Sequence, residues 1–260
     1  MKRQTPALNL RILAIALALA TAALANGANA GTSLAEYRVE LAAPKYLTAD
    51  EMPNPMVFLP PPPGWTSPLF AGDYAAYLWG KTVRSTERGK KAVEQAAYLF
   101  NEISVFFSKP FGLEISREKT PAIYKVLYKG AVTAMHSYER TKKFYARKRP
   151  FVRYGEGTPF PEDEEHLKDN GSYPSGHTVR GWCLGLLCSE INPARQNELL
   201  KLGYEWGESR IIIGYHWKSD VEAARALASA VYARLHTSEE FLADMAAARR
   251  EFARLAAEKQ

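Results

Sequence analysis

A chain of 260 residues, 47% of them hydrophobic, can bury one substantial core, so a single main domain is expected. The formal net charge of +6 comes without the Lys/Arg blocks expected of a nucleic-acid binder, so no nucleic-acid partner is expected. A mild positive balance suits a cleft for small anions, although charge alone does not select that reading.

Lys2, Arg3 and Arg11 precede an apolar run from Ile12 to Ala25, and Ala28-Asn29-Ala30 supplies a small-x-small cleavage pattern. Residues 1–30 are therefore expected to be an export signal, with the mature protein periplasmic or secreted. The alternative, an uncleaved anchor, is disfavoured because the run is only about fourteen residues against the roughly twenty that span a bilayer. Cleavage would remove those three positive charges and no negative one, taking the net charge from +6 to +3. No later stretch is long and apolar enough to cross a membrane, so no membrane association is expected after cleavage.

Residues 31–72 read as an irregular strap. Pro44, Pro53 and Pro55 interrupt any pattern, and the four prolines at 60–63 predict a stiff polyproline II segment. A docking site for a partner is the functional alternative to a rigid connector. From Asp73 onward no run of strict alternation argues for strands, which predicts an all-α, single-domain helical bundle over residues 73–260. Helices are expected over 73–82, 86–108, 119–147, 175–191, 194–213, 217–236 and 238–258. Pro110 with Gly112, Pro150, Asn192-Pro193 and Gly214 supply their stops. Residues 151–173 form one long connection of the kind that borders a site, and its acidic run 162–165 reads as a solvated face. Export permits a disulfide, but Cys183 and Cys188 lie five apart on one expected helix, about 8 Å between Cα atoms. Two free, buried thiols are expected instead.

Three segments carry chemistry. Lys142 and Arg149 are seven apart, about two helical turns, and are expected on one face. Arg147 and Lys148 dilute that signal, because a basic helix terminus is commonly explained by the macrodipole. Next, Gly171-Ser172-Tyr173-Pro174-Ser175-Gly176-His177-Thr178 runs from a turn into an apolar helix, whose start offers N–H groups and partial positive charge. Ser175 suits a helix cap as well as a ligand, whereas His177 has no capping role. Finally, His216 and Asp220 are spaced i, i+4, which places imidazole and carboxylate on one helical face, with Arg210 upstream. A purely structural His–Asp contact is the bland alternative. Three cations, a helix start, two imidazoles and one orienting carboxylate make an inventory for phosphoryl transfer, whose transition state spreads negative charge over equatorial oxygens.

The order Lys-x6-Arg-Pro, Pro-Ser-Gly-His, Ser-Arg-x5-His-x3-Asp resembles the three-part signature of the phosphatidic acid phosphatase type 2 and vanadium haloperoxidase superfamily, and every position matches. More narrowly, residues 171–178 are similar to the signature octapeptide of the class A bacterial non-specific acid phosphatases. The proline run at 59–63, Thr86-Glu87-Arg88-Gly89-Lys90 and Gly214-Tyr215-His216-Trp217 extend that likeness along the mature chain. The chain departs from the family in lacking cysteines near 151–173 and just before Gly214.

The resemblance implies an exported enzyme of that helical fold, acting on a broad range of small phosphomonoesters without metal or cofactor. It implies that Lys142, Arg149, Arg210, Ser175 and the Gly176 backbone hold phosphate while His216 attacks. Asp220 would orient His216, and His177 would protonate the leaving group. Two histidines needed in opposite protonation states predict a bell-shaped pH dependence, on the acid side if their neighbours shift the two pKa values apart. The five histidines include no HExxH pair, in keeping with a metal-free scheme. A homodimer is the default assembly. Three rivals share parts of the pattern: a haloperoxidase, normally a much longer chain; a membrane lipid phosphatase, which needs several spans; and an exported phosphate binder, which needs no acid and no nucleophile.

Overall fold

The computed structural model describes residues 30–258, so the expected export signal lies outside the described residues except at Ala30. The chain divides into two units between Val39 and Glu40, and every candidate site residue lies in the second. Among the described residues the regular structure is helical, without a strand. The early helices are α1 (Ala30–Ala42), α2 (Pro55–Phe58), α3 (Phe70–Val83), α4 (Glu87–Glu94), α5 (Phe100–Phe111) and α6 (Pro121–Met135). Three short ones follow, α7 (Glu139–Tyr145), α8 (Pro150–Tyr154) and α9 (Glu164–Leu167). The chain closes with α10 (Gly176–Ile191), α11 (Gln196–Ile212), α12 (Lys218–Leu235) and α13 (Glu239–Ala257).

Local chemistry explains most of these boundaries. Thr86 and Ser238 cap α4 and α13 by accepting the N–H groups of Gly89 and Phe241, each at 3.3 Å. Glu102 caps α5 by accepting the Leu99 N–H at 3.1 Å, and Pro121 sits at the start of α6, where its missing N–H costs nothing. Gly112 ends α5 in the left-handed conformation (φ 87°); Pro110, expected as a stop, is tolerated in the last turn.

The expected boundaries fail in four places, one of them the 151–173 connection, which holds α9 and most of α8. The strap contains α1, which ends before the first proline at Pro44, and the one-turn α2. The helix expected over 86–108 breaks at Gln95. The helix expected over 119–147 breaks at His136, whose Nε2 lies 2.8 Å from the Leu41 carbonyl oxygen. Both breaks serve tertiary contacts that no local pattern announces.

Helix α10 is the centre of the second unit and packs on α6, α11 and α12, while α13 covers α6. Its Val179, Cys183, Leu184, Leu187, Cys188 and Ile191 are all buried, as expected of a helix wrapped on several sides. Helix α11 approaches it closely: a Cβ added at Gly203 would sit 3.1 Å from the Gly181 carbonyl oxygen and 3.4 Å from the Gly185 Cα. Cys183 and Cys188 are free and buried. Among the described residues no helix is long and apolar enough to cross a membrane.

Candidate active site

Three stretches converge where α10 begins. The first is the non-helical link 146–149, which starts where Ala146 stops α7 in a left-handed conformation (φ 42°) and ends where Pro150 opens α8. The second is the turn leading into α10, which contains a cis Tyr173–Pro174 peptide. The third is the 213–217 turn, reversed at Gly214, whose φ of 85° is one that a residue with a Cβ rarely adopts. Backbone hydrogen bonds tie them together. Ser172 N–H donates to the Arg147 carbonyl at 2.9 Å, Ser175 N–H to the Asp220 carbonyl at 3.0 Å, and Phe151 N–H to the Gly214 carbonyl at 3.3 Å.

Lys142, Arg149 and Arg210 are only 7%, 2% and 4% exposed. Burial, reinforced by the neighbouring guanidinium of Arg149, pushes the Lys142 ammonium well below its ordinary pKa, and burial with Arg210 lowers Arg149 to about 10. Lys142 Nζ donates to the Gly171 carbonyl at 2.7 Å, and Arg149 Nε donates to the Leu167 and Asn170 carbonyls, both at 3.0 Å. Arg210 lies over the Tyr215 ring, and its Nε and Nη1 have no hydrogen-bond partner. Buried donors are nearly always partnered, and a group of buried cations is costly unless an anion answers it.

The histidines stand among these cations. Arg149 Nη1 lies 3.0 Å from His216 Nε2. A guanidinium can only donate, so Nε2 is the acceptor and the neutral ring carries its proton on Nδ1. Nδ1 lies 3.5 Å from Asp220 Oδ2, within ionic reach but without hydrogen-bond geometry. Burial, then Arg149, Lys142 and Arg210, holds the His216 pKa well below its ordinary 6.5. The ring is thus neutral, with a nucleophilic Nε2 lone pair beside three positive groups. His177 stacks flat on Trp206, with 5.3 Å between ring centroids. Its Nε2 has no partner, so the backbone hydrogen bond at Gln95 falls to Nδ1. Burial, then Arg210, Arg180 and His216, lowers its pKa too. A tetrahedral anion among these groups would meet a nucleophile on His216 and a free ring nitrogen on His177.

A sequence profile described as PAP2 superfamily matches residues 122–241, a span containing all eight expected site residues. The chain is 44% identical over 211 residues to the non-specific acid phosphatase of Providencia stuartii, covering 81% of this chain and 85% of that one. The chain belongs to the non-specific acid phosphatases of the PAP2 superfamily. The non-specific acid phosphatase of Salmonella typhimurium is 39% identical, over 84% of this chain and 88% of the relative. The acid phosphatase of Zymomonas mobilis is 31% identical, over 90% and 88%.

This PAP2 chain brings the eight residues together by routes that differ from the sequence reading. Lys142 and Arg149 do not share a helical face, because α7 stops at Ala146 and the second cation sits on the non-helical link. His216 precedes α12 and lies on no helix, so the turn, not the i, i+4 rule, brings it to Asp220. Ser175 is fully buried and does cap α10: its Oγ accepts from the Thr178 N–H at 3.3 Å and hydroxyl at 2.9 Å. The two imidazole pKa values are both shifted downward, because both rings are buried beside cations. Within the acidic run, Asp163 is buried beside Arg210 and His166, and burial raises its pKa.

Three neighbours of these residues were not singled out by the sequence. Gln95, at the break after α4, offers its backbone to His177. Arg147 and Asp73 are 5% and 2% exposed: Arg147 Nη1 donates to Asp220 Oδ1 at 2.6 Å, and Nη2 donates to Asp73 Oδ2 at 2.7 Å. Removing one partner of a buried pair of this kind costs on the order of 3–5 kcal/mol.

Proposed function

We propose that the protein is an acid phosphatase that hydrolyses phosphate monoesters through a phosphohistidine on His216, with His177 as proton donor. The carrying observation is the neutral His216 Nε2, 3.0 Å from Arg149 and surrounded by the buried cations Lys142, Arg149 and Arg210. An entering phosphoryl group takes the Arg149 N–H from Nε2 onto its own oxygens, which frees the lone pair for attack in line with the leaving group. The Nε2–P bond forms as the P–O ester bond breaks, and His177 Nε2–H gives its proton to the departing oxygen. Water then attacks phosphorus, the N–P bond breaks, and the proton lost by that water returns to His177. Ser175 and the Gly176 backbone complete the phosphate cradle at the start of α10. The relatives are named non-specific, and broad substrate range with some phosphoryl transfer to alcohols belongs to the same reading.

The pH behaviour follows from the direction of the shifts. With both imidazole pKa values depressed by the protein's own groups, the chemistry lacks the proton that His177 must donate. A phosphomonoester monoanion brings one, and it loses that proton near pH 6. Activity therefore falls as pH rises above about 6. On the acid side it persists well below 6.5, because His216 resists protonation. A chromogenic phosphomonoester assayed across pH, with and without a chelator, tests this: the expected result is an acid optimum unchanged by chelation. An alkaline optimum or chelator-sensitive turnover overturns the reading.

Export of the chain with removal of residues 1–30, and assembly as a homodimer, complete the proposal. N-terminal sequencing of protein recovered outside the cytoplasm, with light scattering of the same sample, checks both; an intact residue 1 or a monomer contradicts them.

A further inference from the structure

Buried Asp73 and Arg147, with half-buried Ser219, form a cluster behind Asp220 that the proposed mechanism leaves idle. Ser219 Oγ accepts from Arg147 Nη1 at 2.8 Å and donates to Asp73 Oδ2 at 2.7 Å, and Ser219 N–H donates to Asp73 Oδ1 at 2.7 Å. Arg147 Nη1 also holds Asp220 Oδ1, and Trp217 N–H holds Asp220 Oδ2 at 2.8 Å. The guanidinium carbon of Arg147 lies 5.4 Å from the Trp65 ring centre and 5.5 Å from that of Trp217, so its plane is confined as well. Both carboxylate oxygens of Asp220 are thus fixed by groups other than His216. The imidazole, with Nδ1 at 3.5 Å from Oδ2, is the loosest partner of the three.

We propose that Asp73, Arg147 and Ser219 form a positioning clamp. It sets the plane of Asp220 so that Oδ2 faces His216 Nδ1, and it shares the charge of Asp220 so that this carboxylate steadies the ring without drawing a proton onto it. The inference rests on the reading of His216 as nucleophile. An unclamped Asp220 would be free to close on Nδ1–H and hold the ring as an imidazolium, which has no lone pair for phosphorus. The charged and titratable groups facing the pair are Arg147 and Arg149 from the link, Lys142 from α7, Arg210 from α11, His177 and Tyr173 from the start of α10, and Asp73 from α3. Among these only Arg147 touches Asp220 in an ion pair while touching none of the proposed phosphate ligands.

Loss of Arg147 leaves the charge of Asp220 less opposed. His216 then binds its proton more tightly, which moves the acid limb of kcat/KM to higher pH. The variants are Arg147→Lys, Asp73→Asn and Ser219→Ala, the last removing only one hydroxyl in case the buried pair is needed for folding. Expected are a kcat loss of up to about 10²-fold for Arg147→Lys, smaller losses for the other two, and a nearly unchanged KM, since no clamp residue meets substrate. The acid limb should rise by a measurable fraction of a pH unit in folded Arg147→Lys, whose single ammonium cannot hold both carboxylates, and fall in folded Asp73→Asn, which leaves Arg147 to Asp220 alone. Added to Asp220→Asn, Ser219→Ala should cost little more, because the clamp acts through that carboxylate. Folded variants with an unmoved acid limb, or losses that add fully to that of Asp220→Asn, overturn the clamp. His216→Ala run alongside separates the two levels: activity in that variant removes the nucleophile reading itself, whereas its inactivity with unmoved clamp variants removes only the clamp.

Discussion

His216→Ala is expected to lose phosphate release by on the order of 10⁴-fold or more, as for the removal of other covalent nucleophiles. The lost ring supplies the attacking Nε2, and no other described group offers an equivalent. His177 is the only other imidazole among the site residues, and its Nδ1 is tied to the Gln95 backbone while its Nε2 is needed for the proton. Rapid quenching with labelled substrate should trap an acid-labile, base-stable phosphoenzyme in the parent protein and none in the variant. The cradle of Lys142, Arg149 and Arg210 stays intact, so inorganic phosphate should still raise the melting temperature of the variant, by an amount set by its concentration relative to Kd. A phosphoenzyme persisting in His216→Ala would move the nucleophile elsewhere.

Removal of His177 should give a loss that depends on the leaving group. An aryl phosphate expels a phenolate that needs little protonation, whereas an alkyl phosphate expels an alkoxide that needs a full proton. His177→Asn should therefore cost about 10²–10⁴-fold in kcat/KM for alkyl phosphates and far less for nitrophenyl phosphate. The comparison belongs in kcat/KM, which reports formation of the phosphoenzyme. In kcat, the later attack by water, where His177 acts as base, can hide the difference. Equal losses for aryl and alkyl esters would leave His177 a structural role, stacked on Trp206 and bonded to Gln95, and would strike it from the chemistry.

The sequence by itself determined the helical class and named the eight candidate residues that the fold gathers. Absence of strict alternation settles the first, and the second follows because phosphoryl transfer needs cations, imidazoles and a carboxylate whose local spacing is written in the chain. Gly214 at the reversal and Ser175 at the head of α10 were legible for the same reason: a positive φ and a helix cap are local demands met by particular residue types. Only the tertiary structure decided how those residues meet. The breaks at Gln95 and His136 answer to partners far along the chain, and the link 146–149 leaves the helix where a helical period was read. Arg147 and Asp73 are 74 residues apart, and nothing in either neighbourhood signals that burial will pair them behind Asp220. The protonation of the two histidines was equally out of reach, since it depends on desolvation and on which cations surround each ring. Those are properties of packing in three dimensions, and no one-dimensional spacing contains them.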